Sequence, residues 1–252
     1  MDIVIIGSGN VAHHIAHALS KQNKSAIQIF ARNQKEVEAI GKSAEIPYST
    51  TELAPADLYL LCVTDRAIED VSKWITNPNA LVAHTSGSMP MESLVGPYRK
   101  ACFYPLQTFS KTKELSFETV PIFIETQHEK DFKMLEDLAQ SLSQFVEKAD
   151  YEKRKYIHLT AVFACNFVNH LYARAKEISD SQSLPFSYFI PLMQETLEKI
   201  NHLDPKDAQT GPAVRGDTRV LQLHEALLQS PSQHKLYRVL NESIEQMYGL
   251  ES

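Results

Sequence analysis

The first twenty residues constrain this chain most, because they read as strand, tight turn and helix in immediate succession. Asp2-Ile3-Val4-Ile5-Ile6 is a nearly continuous apolar run that stops at Gly7, as a strand buried on both faces of a parallel sheet would. Gly7-Ser8-Gly9-Asn10-Val11-Ala12 follows in a G-x-G-x-x-A pattern, and Val11, Ala12, Ile15, Ala16 and Leu19 then recur at helical spacing. Gly7 permits the turn, Gly9 lets a pyrophosphate approach the backbone, and Ala12 lets the helix pack closely on the strand. The helix N-terminus offers free N–H groups and a positive dipole end to the anion. A strand before the glycines and a helix after them favour dinucleotide binding over a turn whose small residues serve packing alone. Gly7, Ser8, Gly9, Asn10 and Val11 are the expected cofactor contacts.

The next strand, Ala26 to Phe30, ends at Ala31-Arg32-Asn33. A carboxylate at this strand end would bind the ribose hydroxyls of NAD, whereas an arginine accommodates the 2′-phosphate of NADP. No carboxylate stands there. Arg32 presents a planar fork of donors suited to phosphate, against the plainer reading of an exposed surface arginine. Asn33 is expected to cap a helix from Gln34 to Gly41 and to lie near the same phosphate.

Ile46-Pro47-Tyr48 suggests a short edge strand. Firmer strands cover Asp57 to Val63, Ala80 to His84, Ala101 to Phe103 and Pro121 to Glu125, with a last short one from Gln144 to Lys148. Helices are expected at Ala67 to Trp74, with Asp65 as N-cap, and at Glu129 to Leu142. This alternation predicts a Rossmann-like, doubly wound parallel sheet over residues 1–150. Loops at the carboxyl ends of its strands form the ligand crevice, so Val63 and Thr64 should border the cofactor. By the same topology, His84 and Thr85-Ser86-Gly87-Ser88 should face the nicotinamide and a small-molecule substrate. His84 could exchange a proton near neutral pH or simply bond backbone at a strand end. Tyr104-Pro105-Leu106-Gln107-Thr108-Phe109 reads either as a pocket wall or as loop packing.

Past Asp150 no further strand is legible, and residues 151–252 read as an all-α domain. Tyr151 to Ser179 suggests one long helix, apolar on nearly every side from Leu159 to Val168 and therefore the buried centre of that domain. Further helices are expected at Phe186 to Asn201, Asp217 to Leu228 and Ser232 to Tyr248, with Pro231 suited to helix entry. His158, Asn166, Asn169 and His170 are polar residues on the long helix. Asn166 is a candidate for orienting substrate, and His158 reads equally well as a structural residue. Arg215, between Val214 and Gly216, suits an anion or a carboxylate, with Asp217 as a helix cap. His13, His14 and His17 cluster on the first helix, but no third metal ligand or H-E-x-x-H pattern accompanies them, so they read as an exposed face and no metal is expected.

A net charge of -6 without a basic block argues against nucleic acid, and the longest apolar stretch is too short to span a bilayer. Cys62, Cys102 and Cys165 are widely spaced and read as buried thiols in a reducing, cytoplasmic compartment. The first core strand at the N-terminus leaves no room for a signal peptide ahead of it.

Taken together, the glycine turn, His84-Thr85-Ser86-Gly87-Ser88, Tyr104-Pro105-Leu106-Gln107-Thr108-Phe109 and Gly211-Pro212-x-x-Arg215-Gly216-Asp217 resemble one family. It joins an NADP-binding Rossmann-like domain to a helical half classed as a domain of unknown function. It resembles pyrroline-carboxylate reductase, ketopantoate reductase and the hydroxyacid dehydrogenases, with their phosphogluconate-dehydrogenase-like helical bundle. The resemblance implies NADP(H) binding, a homodimer built through the helical domain, and hydride transfer with a small carbonyl or imine substrate. His84, Ser86, Asn166 and Arg215 are the expected substrate-side residues. Hydroxyacid dehydrogenases carry a lysine four residues before the helix asparagine; if Asn166 is that asparagine, Val162 stands at the lysine position here. That departure leaves open a second class of function, a non-catalytic NADP(H)-binding regulator or redox-sensing dimer.

Overall fold

The computed structural model describes residues 1–22 and 26–250. Contact density divides the chain into two compact units, Met1–Cys165 and Asn166–Ser252.

The first unit is built on one sheet. Its strands are β1 (Ile3–Ile6), β2 (Ala26–Phe30), β3 (Tyr48–Ser49), β4 (Leu58–Leu61), β5 (Leu81–His84), β6 (Arg99–Pro105), β7 (Ile122–Thr126) and β8 (Val146–Lys148). Their spatial order is β3-β2-β1-β4-β5-β6-β7-β8. The chain runs outward from β1 to one edge, then returns to the other side of β1 and runs to the opposite edge. Its direction therefore reverses between β1 and β4, which opens a crevice at their carboxyl ends. The pairing is parallel except between β6 and β7, which run antiparallel. The expected doubly wound parallel sheet is present with this one antiparallel step: the segment after Pro105 turns back without a crossover helix, so β7 enters from the opposite end.

Strand residues alternate between two cores, as a period of two requires. Ile3 and Ile5 join one core with Ala12, Ile15 and Leu19 of α1 (Asn10–Lys21), Val37 and Ile40 of α2 (Gln34–Ala44), and Leu135 and Leu138 of α4 (Glu129–Gln140). Val4 and Ile6 join the other with Ile68 and Val71 of α3 (Ile68–Ser72). Each fully buried Ile or Leu contributes about 1.5–3 kcal/mol of transfer free energy. The helix expected from Ala67 is thus shorter, and a 3-10 turn, Asp65–Ala67, precedes it. Asp65 does not cap it: Ala67 holds the N-cap position of α3 and Thr64 that of the 3-10 turn, neither with a side-chain bond.

The strands end at Lys148, and Asp150 caps α5 (Tyr151–Ala161) by accepting the Lys153 N–H at 2.8 Å. The compact division falls later, after Cys165, because α5 is anchored to the sheet. Arg154, fully buried on it, donates to Glu125 of β7 at 2.5 Å and to the Met89 carbonyl at 2.6 Å.

A π-helical turn, Val162–Phe167, follows α5 and leads into α6 (Val168–Ser181), so the long run is not one uniform helix. The second unit continues with a 3-10 turn (Phe186–Phe189), α7 (Ile190–Lys199), α8 (Thr218–Leu227) and α9 (Pro231–Met247). Pro231 opens α9 and Asp217 caps α8, as expected. The expected burial of Leu159 to Val168 is corrected: Phe163 is 63% exposed, and Leu159, Cys165 and Phe167 are exposed too. Apolar side chains of α7 and α8, among them Leu192 and Leu227, are likewise exposed. Among the described residues, α7 and α8 thus present apolar surface to solvent.

Candidate cofactor and substrate site

Gly7 ends β1 at φ +135, and a Cβ there would lie 2.2 Å from the Cys62 carbonyl oxygen at the end of β4. Only glycine passes this point. Gly9 differs, since a Cβ on it would meet no atom within 4 Å. Space is therefore open directly above the backbone that caps α1. Gly9 has no side chain to cap the helix, and the first turn carries no acidic residue. The leading N–H groups of α1 thus have no side-chain acceptor, and their dipole end is not neutralised, which suits a phosphate. By contrast α2, α5, α8 and α9 all receive side-chain caps. This cradle fits a dinucleotide.

Two cavities open along the same strand ends. One, of about 330 Å³, is lined by Gly7, Ser8, Arg32, Asn33, Val63 and Trp74, among others. The second, of about 310 Å³, is lined by Asn10, Val11, Asp65, Ser86, Tyr104 and His158, among others. They share Gly9, Cys62, Val63 and Thr64, so together they follow the crevice on both sides of the glycine turn. The nine expected cofactor residues, Gly7, Ser8, Gly9, Asn10, Val11, Arg32, Asn33, Val63 and Thr64, all line one or both.

Their side chains are differently engaged. Arg32 is exposed and makes no ion pair among the described residues, which leaves its guanidinium free for an anion. Asn33 accepts the Glu36 N–H at 3.2 Å and caps α2, as expected. Asn10 spends its side-chain amide on the Phe109 carbonyl at 2.8 Å, so its part toward a ligand falls to its backbone.

On the substrate side, Ser86 lines the second cavity, and its Oγ accepts N–H bonds from Ser88 at 3.1 Å and Met89 at 3.2 Å. Its hydroxyl proton stays free to donate outward. His84 lines neither cavity. It is 0% exposed, and its Nδ1 accepts the Ser86 N–H at 3.2 Å. Burial, aided by Arg154, holds its pKa down to about 3, so the imidazole is neutral. Its geometry is that of a strand-end histidine bonded to backbone. Asn166 and Arg215 belong to the helical unit, Asn166 in the π-helical turn and Arg215 exposed at the end of a 3-10 turn, Ala213–Arg215.

The structure adds a contact that joins distant segments: Tyr104 Oη lies 3.0 Å from His158 Nδ1. Both residues were visible in the sequence as possible wall and helix polar groups, but no local pattern linked them.

An open groove of about 800 Å³ lies elsewhere, lined by His13, His14, His17, Lys111 and Lys113, among others, and none of its lining residues borders the crevice. The expectation of three exposed histidines is corrected here. His14 is buried, its Nε2 2.9 Å from the Ser110 carbonyl, because the segment after β6 lies over α1. His13 is held down to about 4 by burial and by His17. Among the described residues no group of three or more His, Cys, Asp or Glu could hold a metal ion.

A doubly wound sheet with an uncapped glycine turn at its switch point defines a dinucleotide-binding oxidoreductase fold. Residues 2–85 match the family model described as NADP oxidoreductase coenzyme F420-dependent, and residues 120–244 match a domain of unknown function (DUF2520). A crystal structure from Bacteroides fragilis, described as a "putative NADP oxidoreductase", is 39% identical with a TM-score of 0.93, over 97% of this chain and 98% of that one. The chain belongs to this NADP oxidoreductase family, in which the nucleotide-binding part is followed by the DUF2520 C-terminal domain. More distant matches share the fold. A 1-pyrroline-5-carboxylate reductase from Streptococcus pyogenes is 14% identical, with a TM-score of 0.66 over 99% of both chains. A reductive aminase from Aspergillus terreus, solved with NADPH, is 11% identical, with a TM-score of 0.63 over 100% of this chain and 88% of that one. No curated protein matches the sequence.

Proposed function

We propose that this protein is a cytoplasmic, homodimeric reductase that uses NADP(H) to transfer a hydride to or from a small carbonyl or imine compound. The observation that carries this reading is the pair of cavities meeting at the uncapped start of α1. The α1 N-terminus and Gly9 would receive the pyrophosphate, Arg32 and Asn33 would border the 2′-phosphate, and Val63 and Thr64 would separate the two nucleotide halves. NADPH, when bound, supplies the hydride. The protein's own residues orient it, exclude water and manage the accompanying proton. The pyrroline-carboxylate reductase and reductive aminase matches support the carbonyl or imine class. Ser86 fits a hydrogen-bond donor to the substrate, and Asn166 and Arg215 remain candidates on the helical side.

The exposed apolar faces of α7 and α8 support a second copy as their cover, since monomers rarely leave so much apolar surface in water. Sedimentation at micromolar concentration should give a dimer mass. The free thiols of Cys62, Cys102 and Cys165 support a reducing compartment.

Trp74 is the sole tryptophan of the chain and stands 44% exposed on the first cavity. Its emission should therefore report cofactor binding. NADPH should quench it at concentrations well below those needed for NADH. Arg32→Ala should weaken NADPH roughly 10- to 100-fold, the worth of charge-assisted bonds to one phosphate, and leave NADH unchanged. Equal affinities that ignore the mutation would remove the NADP preference, and absence of binding by the wild type would remove the reading.

A further inference from the structure

Three separate elements converge on the wall of the second cavity. Tyr104 comes from the end of β6, His158 from α5 and Gly87 from the loop after β5. A Cβ on Gly87 would lie 2.6 Å from Tyr104 Cζ and 2.9 Å from His158 Nδ1, so the phenol and imidazole keep their 3.0 Å contact only because residue 87 has no side chain. Tyr104 is nearly buried, while His158 is half-buried. Packing alone would be served by apolar residues, without the cost of desolvating a hydroxyl and a ring nitrogen. Burial pushes the Tyr104 phenol up to about 12, so it stays protonated and able to donate.

We propose that Tyr104 is the proton donor of this crevice, that His158 is the positioning residue that refills it, and that the substrate is a small, uncharged ketone, aldehyde or imine. This rests on the reductase reading above. The substrate class follows from charge: among the described residues lining this cavity Asp65 is a carboxylate, and none is a lysine or arginine. A substrate carboxylate would find repulsion there and no counter-ion.

The step balances as follows in the direction of reduction. As hydride reaches the carbonyl carbon, the C=O π pair moves onto oxygen, the Tyr104 O–H bond breaks, and its proton passes to that oxygen. In the tautomer with hydrogen on Nδ1, His158 passes that proton to the phenolate as its Nε2 takes one from water, hydroxide leaves to solvent, and exchange with water restores the Nδ1–H tautomer. One hydride and one solvent proton enter, and an alcohol leaves. With an imine, nitrogen takes the proton and an amine leaves. Ser86, whose hydroxyl proton is free, provides a second hydrogen bond to the same heteroatom.

The test compares full-length wild type, Tyr104→Phe and His158→Gln. NADPH affinity is read by Trp74 emission, the His158 ring nitrogens by 15N NMR without cofactor, and turnover by NADPH oxidation with cyclohexanone, 1-pyrroline and, as an anionic control, pyruvate. Tyr104→Phe should keep NADPH affinity within about twofold, showing an intact fold. It should shift the His158 nitrogen resonances and lower kcat at least 100-fold with little change in KM, the range of general-acid catalysis. His158→Gln should lower kcat about 10-fold, again with KM retained. Unchanged kcat or unchanged His158 resonances in Tyr104→Phe would overturn the donor pair while leaving the reductase. Preference for pyruvate would overturn the uncharged substrate class. Failure of a wild type that binds NADPH to turn over any probe would overturn the assignment of Tyr104. A wild type that binds no NADPH would sink the reductase reading beneath it.

Discussion

Arg154 reaches from α5 to Glu125 on β7 with none of its own side chain exposed, and its second nitrogen donates to the Met89 carbonyl. Glu125 returns the connection by accepting the Tyr151 N–H at 3.1 Å, which ties the start of α5 to β7. One guanidinium thus fixes the helix that carries His158. Arg154→Met leaves a mostly buried carboxylate without its partner and should cost about 3–5 kcal/mol. Urea unfolding followed by circular dichroism would measure this. Lys153→Met, which removes an exposed pair with Glu147, should change stability by less than about 1 kcal/mol.

The two turn glycines should separate folding from binding. Gly7→Ala drives a Cβ into the Cys62 carbonyl at a φ that alanine avoids, so the variant should lose soluble yield or melt far lower. Gly9→Ala meets no protein atom, so its melting temperature should stay near wild type while NADPH affinity falls. Normal NADPH binding by Gly9→Ala would show that no phosphate approaches that backbone.

His84 should make stability fall with acid. Its folded pKa is depressed to about 3 from an unfolded value of 6.5, so the unfolded chain binds the extra proton between these values. Its contribution is complete above pH 6.5 and is lost as pH falls toward 3. Between pH 7.5 and 5.5 the loss is roughly 1 kcal/mol. Urea midpoints at those two pH values should show it in wild type, and His84→Gln should reduce the difference by about that amount. His13, held down to about 4, and His17 are depressed in the same direction, so they keep a slope of the same sign in the variant.

The thiols should react in order of burial. Cys62 and Cys102 are buried and pushed up to about 12, so neither presents a thiolate near neutral pH. Native protein treated with an aromatic disulfide reagent should label neither, and both should react in urea. Rapid native labelling of Cys102 would mean that the sheet opens around β6 far more often than its packing implies.

The start of the fold was legible because Ile3–Ile6, the glycines and the α1 apolar stripe all point to one supersecondary unit. Strand direction was not legible: the residues of β7 alternate the same way whichever end the chain enters from. Apolar composition identified Leu159 to Val168 as surface that avoids water, but not that a single chain leaves it exposed. At the site, the expected cofactor residues reach the crevice because each sits in a loop after a strand end or in the first turn of α1. Tyr104 and His158 lie 54 residues apart, and their contact depends on how α5 docks beside β6, which no local spacing encodes. His84 shows the converse. Its residue type suggested proton chemistry, while burial beside Arg154 keeps it neutral.

The position of β1 has a consequence for synthesis on the ribosome. It is the first strand made, yet it lies inside the sheet, between β2 and β4. β2 becomes available to it within a few tens of residues, but its other edge has no partner until Leu58–Leu61 has emerged. During that interval the nascent chain exposes an unpaired, wholly apolar strand edge, the kind of surface that recruits chaperones or neighbouring chains. Codon pace over the first sixty or so residues should therefore influence the yield of folded protein more than pace over the helices that follow.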